Sequence, residues 1–209
     1  MKQNYQLLLD RLIASECAGE KKPSLLLHAC CAPCSSYVLE YLSRHFEITV
    51  YFYNPNISPE EEYRYREQEL KRLIDEMGLS SQIQTIVEYY NPKEFEEIAS
   101  GLENEPEGGS RCARCYRLRL RKTASVAAAR GFDFYTTTLS ISPYKNAEWL
   151  NEIGEEEAER AGVRYLFSDF KKKNGYKRSC ELSALYHLYR QDYCGCIYSK
   201  EAARRRRDS

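Results

Sequence analysis

The chain has 209 residues, enough for one sizeable core and too few for two full domains. A composition 43% hydrophobic and 30% charged is that of a soluble globular protein, and no apolar stretch approaches the roughly 20 residues that cross a bilayer. Formal net charge is zero, so a polyanion would be drawn by local basic runs such as "RCARCYRLRLRK", "KKKNGYKR" and "ARRRR" rather than by the molecule as a whole.

Residues 1–23 read as an N-terminal extension. Asp10 and Arg11 break the apolar run that a secretory signal would need, so a cytoplasmic location is expected. A reducing compartment turns the nine cysteines away from permanent disulfides and toward metal binding or redox chemistry. Cys17 stands alone and reads as a packing or surface residue.

The run at 24–28 (SLLLH) predicts a first strand, with His28 as a core histidine. It leads into "HACCAPCSS", which puts Cys30, Cys31 and Cys34 in one turn. Neighbours in an extended strand point to opposite faces, so Cys30 and Cys31 can share a metal only if the chain is already turning. Pro33 and Ser35-Ser36 supply that turn and open a helix over 35–45, whose N-terminus favours thiolate over thiol. A second strand over 47–53 ends in "YNPNISP", where Asn54 and Asn56 are candidates to present amides to a substrate.

A helix over 59–77, a strand over 82–88 and a helix over 92–101 follow, then a Pro/Gly/Glu-rich surface loop over 101–110. The next helix, 112–130, opens on "RCARCYRLRL". Its Cys112 and Cys115 share one helical face, and Arg114 and Arg117 are candidate substrate contacts. A strand over 132–137 runs into "TTTLSISPYKN", placing Ser142 and Lys145 just past a strand end as further candidates. A helix over 146–161, a strand over 163–167, a long basic loop over 168–179 and a helix over 181–193 precede "YCGCIY", with Cys194 and Cys196. Cys180 reads as structural, and residues 200–209 as a basic tail, irregular and disordered or serving as a nucleic-acid arm.

This alternation predicts an α/β fold: a mostly parallel, five-stranded, Rossmann-like sheet with helices on both faces and a helical C-terminal extension. Residues 24–199 form one domain in this reading. Ligands of such sheets bind beyond the carboxyl ends of the strands, which is where both the 30/31/34 and the 112/115 thiols should emerge. Strict alternation would end the 181–193 helix at the opposite edge, so the 168–179 loop must redirect it if Cys194 and Cys196 are to join them.

Cys30, Cys31, Cys112 and Cys115 make four thiolates, enough for a structural zinc or a [4Fe–4S] cluster. An ample core and a place at the functional edge of a sheet favour iron–sulfur over a zinc staple. The Cys194/Cys196 pair could close into a small, easily reduced disulfide ring or bind a second metal. No phosphate-binding glycine motif is present. The 18 tyrosines, many interleaved with arginine, suit stacking on RNA bases as well as core packing.

"LLLHACCAPCS", "FYNPNISP", "RCARCYRLRL", "TTTLSISPYKN" and "YCGCIYS", in this order over about residues 24–199, resemble the epoxyqueuosine reductase family of the QueH type. The resemblance implies a fold related to adenine nucleotide alpha-hydrolases. It implies reduction of the epoxide of epoxyqueuosine at the tRNA wobble position to queuosine, the last step of tRNA queuosine biosynthesis. It also implies Cys30, Cys31, Cys112 and Cys115 as [4Fe–4S] ligands, Cys194 and Cys196 as a redox-active pair, tRNA as partner and an electron donor of unspecified identity. The resemblance also implies Asp in some relatives where this chain has Cys34, which leaves open whether Cys34 serves a second, mononuclear iron. With that chemistry, iron at or beside the cluster would bind the epoxide oxygen as a Lewis acid while the Cys pair relays reducing equivalents. The rival expectation is a zinc-stabilised RNA-binding module without reductase activity.

Overall fold

Leu25, Leu26 and Leu27 are all fully buried, as a strand covered on both faces requires. They belong to β1 (Ser24–His28), the middle of a five-stranded sheet with β2 (Glu47–Phe52), β3 (Gln84–Val87), β4 (Phe134–Thr137) and β5 (Arg164–Tyr165). The computed structural model describes residues 3–17, 19 and 21–207. The sheet order is β3-β2-β1-β4-β5, and every pairing is parallel. The predicted α/β, Rossmann-like architecture is therefore what the chain adopts.

Side chains alternate across a strand with period two, and the core divides accordingly. Leu25 and Leu27 of β1 and Ile48, Val50 and Phe52 of β2 join one apolar cluster, while Leu26, Tyr51 and Tyr53 join another. Helices α2 (Ala32–Leu42) and α3 (Glu60–Glu76) cover the first face through Val38, Leu39, Leu42, Tyr63, Leu70 and Ile74. Helices α5 (Ser110–Ala129) and α6 (Ala147–Ala161) cover the second through Tyr116, Leu120, Ala124, Leu150 and Ile153. The short α4 (Lys93–Ala99) leads toward α5.

Outside this frame the structure departs from the sequence expectations in two places. The helix expected over 181–193 is α7 (Gly175–Leu185), which starts inside the supposed 168–179 loop. Ending earlier, it leaves residues 186–196 as an irregular segment free to travel. The tail expected to be irregular is instead helical to its last arginines, as part of α8 (Ile197–Arg207). Ion pairs Arg206–Glu107 at 3.6 Å and Arg207–Asp192 at 3.1 Å tie that helix to neighbouring loops. Residues 208 and 209 lie outside the described residues. In the N-terminal extension, α1 (Tyr5–Glu16) buries Leu9 in the first core cluster, beside the partly buried Cys17. No helix among the described residues is long and apolar enough to cross a membrane.

Helix α6 approaches the sheet closely at Gly154. A Cβ there would lie 2.3 Å from the ring of Tyr165, and Tyr135 donates its hydroxyl to the Gly154 carbonyl at 2.5 Å. Gly154→Ala should therefore destabilise the fold by about 1–3 kcal/mol through overpacking, lowering the melting temperature by about 2–4 °C per kcal/mol. An unchanged melting curve would show that the Tyr165 ring yields without cost.

Candidate metal and redox site

Parallel strands whose connections depart in opposite directions leave a crevice at their carboxyl ends. Here those strands are β1, which leads to β2 on one side, and β4, which leads to β5 on the other. The residues just past their ends meet across the crevice, with Cys30 Sγ 3.8 Å from Thr138 Oγ1. His28, just below, is neutral. Its Nε2 donates to the Tyr53 carbonyl (3.1 Å), its Nδ1 accepts from Thr137 (2.8 Å), and burial holds its pKa down at about 4. It is the satisfied core histidine the sequence predicts.

The chain turns as it leaves β1, which resolves the problem of adjacent cysteines. Cys31 is the N-cap of α2, Asn54 Nδ2 braces the Ala29 carbonyl at 2.9 Å, and Ser35 Oγ donates to the Cys31 carbonyl at 2.8 Å. The Sγ atoms of Cys30 and Cys31 are 3.7 Å apart, and with Cys34 all three lie within 4.8 Å of one another. This grouping can hold a metal ion. Of the group, Cys31 is the thiol held well below its ordinary pKa: hydrogen bonds from Cys30 and Cys34 outweigh burial, and Arg66 adds positive charge.

Cys112 and Cys115 sit at the start of α5, where the Gly108 N–H donates to Cys112 Sγ at 3.2 Å. Burial pushes the Cys115 thiol up to about 12, against the opposing pull of Arg119. Cys115 packs with Cys196 and Phe95 in a small apolar cluster, so the 186–196 segment does return its thiols to this edge. Its turn depends on Gly195, which has φ +131° and where a Cβ would lie 2.9 Å from Ile57 Cγ1. Ser58 N–H donates to the Gly195 carbonyl at 3.0 Å and Arg66 Nη1 to the Cys194 carbonyl at 3.1 Å, fixing the turn against the loop after β2.

Cys194 connects two cavities. A small hollow is lined by Cys112, Cys115, Cys194 and Cys196. A cleft of about 510 Å³ beside it is lined by Cys30, Cys31, Cys34 and, again, Cys194. Seven of the nine cysteines thus face these two spaces, and only Cys17 and Cys180 do not. Cys112 and Cys115 do not belong to the tight Cys30/Cys31/Cys34 group.

Lys145 Nζ donates to Cys194 Sγ at 2.9 Å. Burial opposes the Cys194 thiolate, but Lys145 and then Arg119 overcome it, leaving the thiol below its ordinary pKa. Burial pushes Cys196 the other way. Arg119 also faces both cavities. It is 1% exposed, its Nε donates to the Cys115 carbonyl at 3.3 Å, and its Nη2 has no hydrogen-bond partner. No carboxylate pairs with it among the described residues. A guanidinium cannot lose its proton, so it needs anions nearby; of the thiols that act on it, Cys115, Cys194 and Cys30, only Cys194 is held below its ordinary pKa. Thiolates, with or without metal, fit that requirement.

The other sequence candidates separate. Ser142 and Lys145 line the cleft, Asn56 lines the hollow with its buried Oδ1 unpartnered, and Asn54 lines neither. Arg117 pairs with Glu156 and Glu157 of α6, and Arg114 donates to the Ile98 carbonyl. Arg66 and Arg119 are not singled out by the sequence alone. A signal for Arg119 was present: Cys112, Cys115 and Arg119, at i, i+3 and i+7, share one helical face from which Arg114 and Arg117 point away.

Comparison with known proteins bears on this arrangement. The family model described as "Epoxyqueuosine reductase QueH" matches residues 25–202. Three proteins named epoxyqueuosine reductase QueH are similar over most of their length. The one from Streptococcus pyogenes serotype M1 is 42% identical over 200 residues, covering 95% of this chain and 78% of that protein. Those from Staphylococcus epidermidis and Thermotoga maritima are 39% and 33% identical, covering 95% and 84% of this chain and 85% and 90% of theirs.

The Lys145–Cys194 contact can be tested directly. In Lys145→Met the ammonium is gone and burial is left to act, so the Cys194 pKa should rise and its alkylation by iodoacetamide near neutral pH should slow. Site-resolved mass spectrometry across a pH series checks this. A pH profile for Cys194 identical to wild type would mean that Arg119 alone sets its ionisation.

Proposed function

The chain belongs to the epoxyqueuosine reductase QueH family, and from this membership we infer its reaction: reduction of the epoxide of epoxyqueuosine in tRNA to queuosine, the final step of queuosine biosynthesis. Turning an epoxide into an alkene consumes two electrons and two protons and releases the oxygen as water. The residues must therefore supply reducing equivalents, protons and a place for negative charge on oxygen. The observation that carries the reading is the gathering of seven thiols around a buried guanidinium that lacks a carboxylate.

In this reading Cys30, Cys31, Cys112 and Cys115 hold a [4Fe–4S] cluster, and Cys34 is left to serve a second, mononuclear iron. A bound cluster supplies electrons one at a time. The donor set suits an anionic group of this kind, since the thiols are all free, two face the cleft and two the hollow beside it, and Arg66 and Arg119 carry the opposite charge.

Cys194 and Cys196 form the redox pair. Closing the disulfide from the Cys194 thiolate and the Cys196 thiol releases two electrons and one proton, and the Lys145 ammonium supplies the second proton, which balances one epoxide reduced and one water formed. A ring closed across a single residue is strained and readily reduced again, with an external electron donor restoring the dithiol. Lys145 holds Cys194 as the reactive thiolate and places an ammonium proton at the same point of the cleft. The five cations lining the cleft (Arg66, Arg119, Lys145, Arg190, Arg206) outnumber Glu107 and Asp192, a balance that suits a polyanionic RNA at its mouth.

Anaerobically reconstituted protein should hold about four irons or more per chain and show broad visible absorption, and it should convert epoxyqueuosine in tRNA when given reductant. Cys112→Ala should lose iron and activity together. Cys194→Ala should keep most of the iron while turnover falls by about 100-fold or more. Full turnover by Cys194→Ala would remove the pair from the mechanism. Colourless protein with about one zinc that binds tRNA without reducing it would establish the RNA-binding module instead.

A further inference from the structure

Two tyrosines at the cleft are left unexplained by the fold. Tyr144 is 81% exposed and Tyr176 36%, yet both line the cleft whose buried end carries Cys30, Cys31 and Cys194. Packing cannot account for their positions, because rings so open to water contribute little to the core. They share that cleft with a cation, since the Arg190 guanidinium lines it too. Arg190 is itself held, donating to Ser183 Oγ at 3.0 Å.

The loop after β4 relates these rings to the chemistry. Ser142 Oγ accepts the Tyr144 N–H at 3.3 Å, and the next residue, Lys145, reaches Cys194. Consecutive residues therefore put an aromatic ring at the open end of the cleft and a cation at the reactive thiol. A cleft of about 510 Å³ has the capacity of a single nucleoside and not of a helical stem. Enzymes that act on a base must bring it out of its stack, and unpaired RNA bases are held by stacking on aromatic faces and guanidinium planes.

We infer that Tyr144 and Tyr176 form an aromatic clamp that stacks on the base of the reacting nucleotide and holds it out of its strand, with Arg190 beside them. The inference rests on the reductase reading of the same cleft. It names the base's planar face, rather than the RNA backbone, as what the cleft mouth recognises.

The test uses the full, metal-loaded chain and tRNA bearing epoxyqueuosine. The double variant Tyr144→Ala/Tyr176→Ala should raise KM by about 10-fold or more, the scale of losing base–aromatic stacking, with kcat, metal content and melting temperature little changed. Tyr144→Phe/Tyr176→Phe keeps the rings and should stay within about twofold of wild type. Tyr89→Ala is the control, since Tyr89 is 84% exposed but lines neither cavity. In a binding arm, wild type should prefer an anticodon stem–loop with guanine at the wobble position to its abasic counterpart, and the double Ala variant should not. A double Ala variant no worse than Tyr89→Ala, or a double Phe variant as impaired as double Ala, overturns the clamp. Wild type that holds metal but fails to reduce epoxyqueuosine overturns the reductase reading instead, and the abasic comparison then decides the clamp alone.

Discussion

A guanidinium buried without a carboxylate forces a choice on its surroundings, and Arg119 makes that choice for this molecule. It is 1% exposed at the meeting of two thiol-lined spaces, and its charge cannot be neutralised by proton loss. Negative charge on the neighbouring sulfurs, as the Cys194 thiolate or as thiolates in a metal assembly, offsets it there. Arg66 repeats the logic on a smaller scale: it pairs with Glu62 at 2.7 Å, yet its Nη2 is unpartnered and its charge acts on Cys31. The site is thus a charge-balanced inclusion at the rim of an apolar core.

Topology delivers the sulfurs to that inclusion. The switch between β1 and β4 opens the crevice, the α2 N-terminus receives Cys31, and the α5 N-terminus receives Cys112 and Cys115. These are fixed by rigid elements. Cys194 and Cys196 arrive differently, on an irregular segment held by Ser58, Arg66 and the conformational freedom of Gly195. In the proposed dithiol–disulfide cycle such a mount is an advantage, because closing the ring needs backbone adjustment that a helix would resist.

Lys145 adds a division of labour within one loop. Pinned to Cys194 it tunes a thiol, while its exposed neighbour Tyr144 faces incoming ligand. Arg206 of α8 completes the mouth, lining the cleft while ion-paired to Glu107. Exposed ion pairs of this kind contribute little stability, so their place around the opening matters more for the local potential than for the fold.

Much of this was legible in the residues. Five apolar or β-branched runs separated by helical periodicity determined a parallel α/β sheet, because strands buried on both faces and amphipathic helices leave few other ways to hide their apolar surface. The order of elements then determined that Cys30, Cys31, Cys112 and Cys115 emerge at one edge, since every parallel strand points the same way. The sequence could not determine which thiols bunch together. The close approach of Cys34 to Cys30 and Cys31, the end of α7 at Leu185 and the helical course of the Arg-rich tail follow from contacts between segments far apart in the chain. The places of the arginines were decided the same way: charge made Arg114 and Arg117 conspicuous, while Arg66 and Arg119 are the ones buried beside the thiols. Burial is a property of what packs over a residue, and only the tertiary structure supplies that.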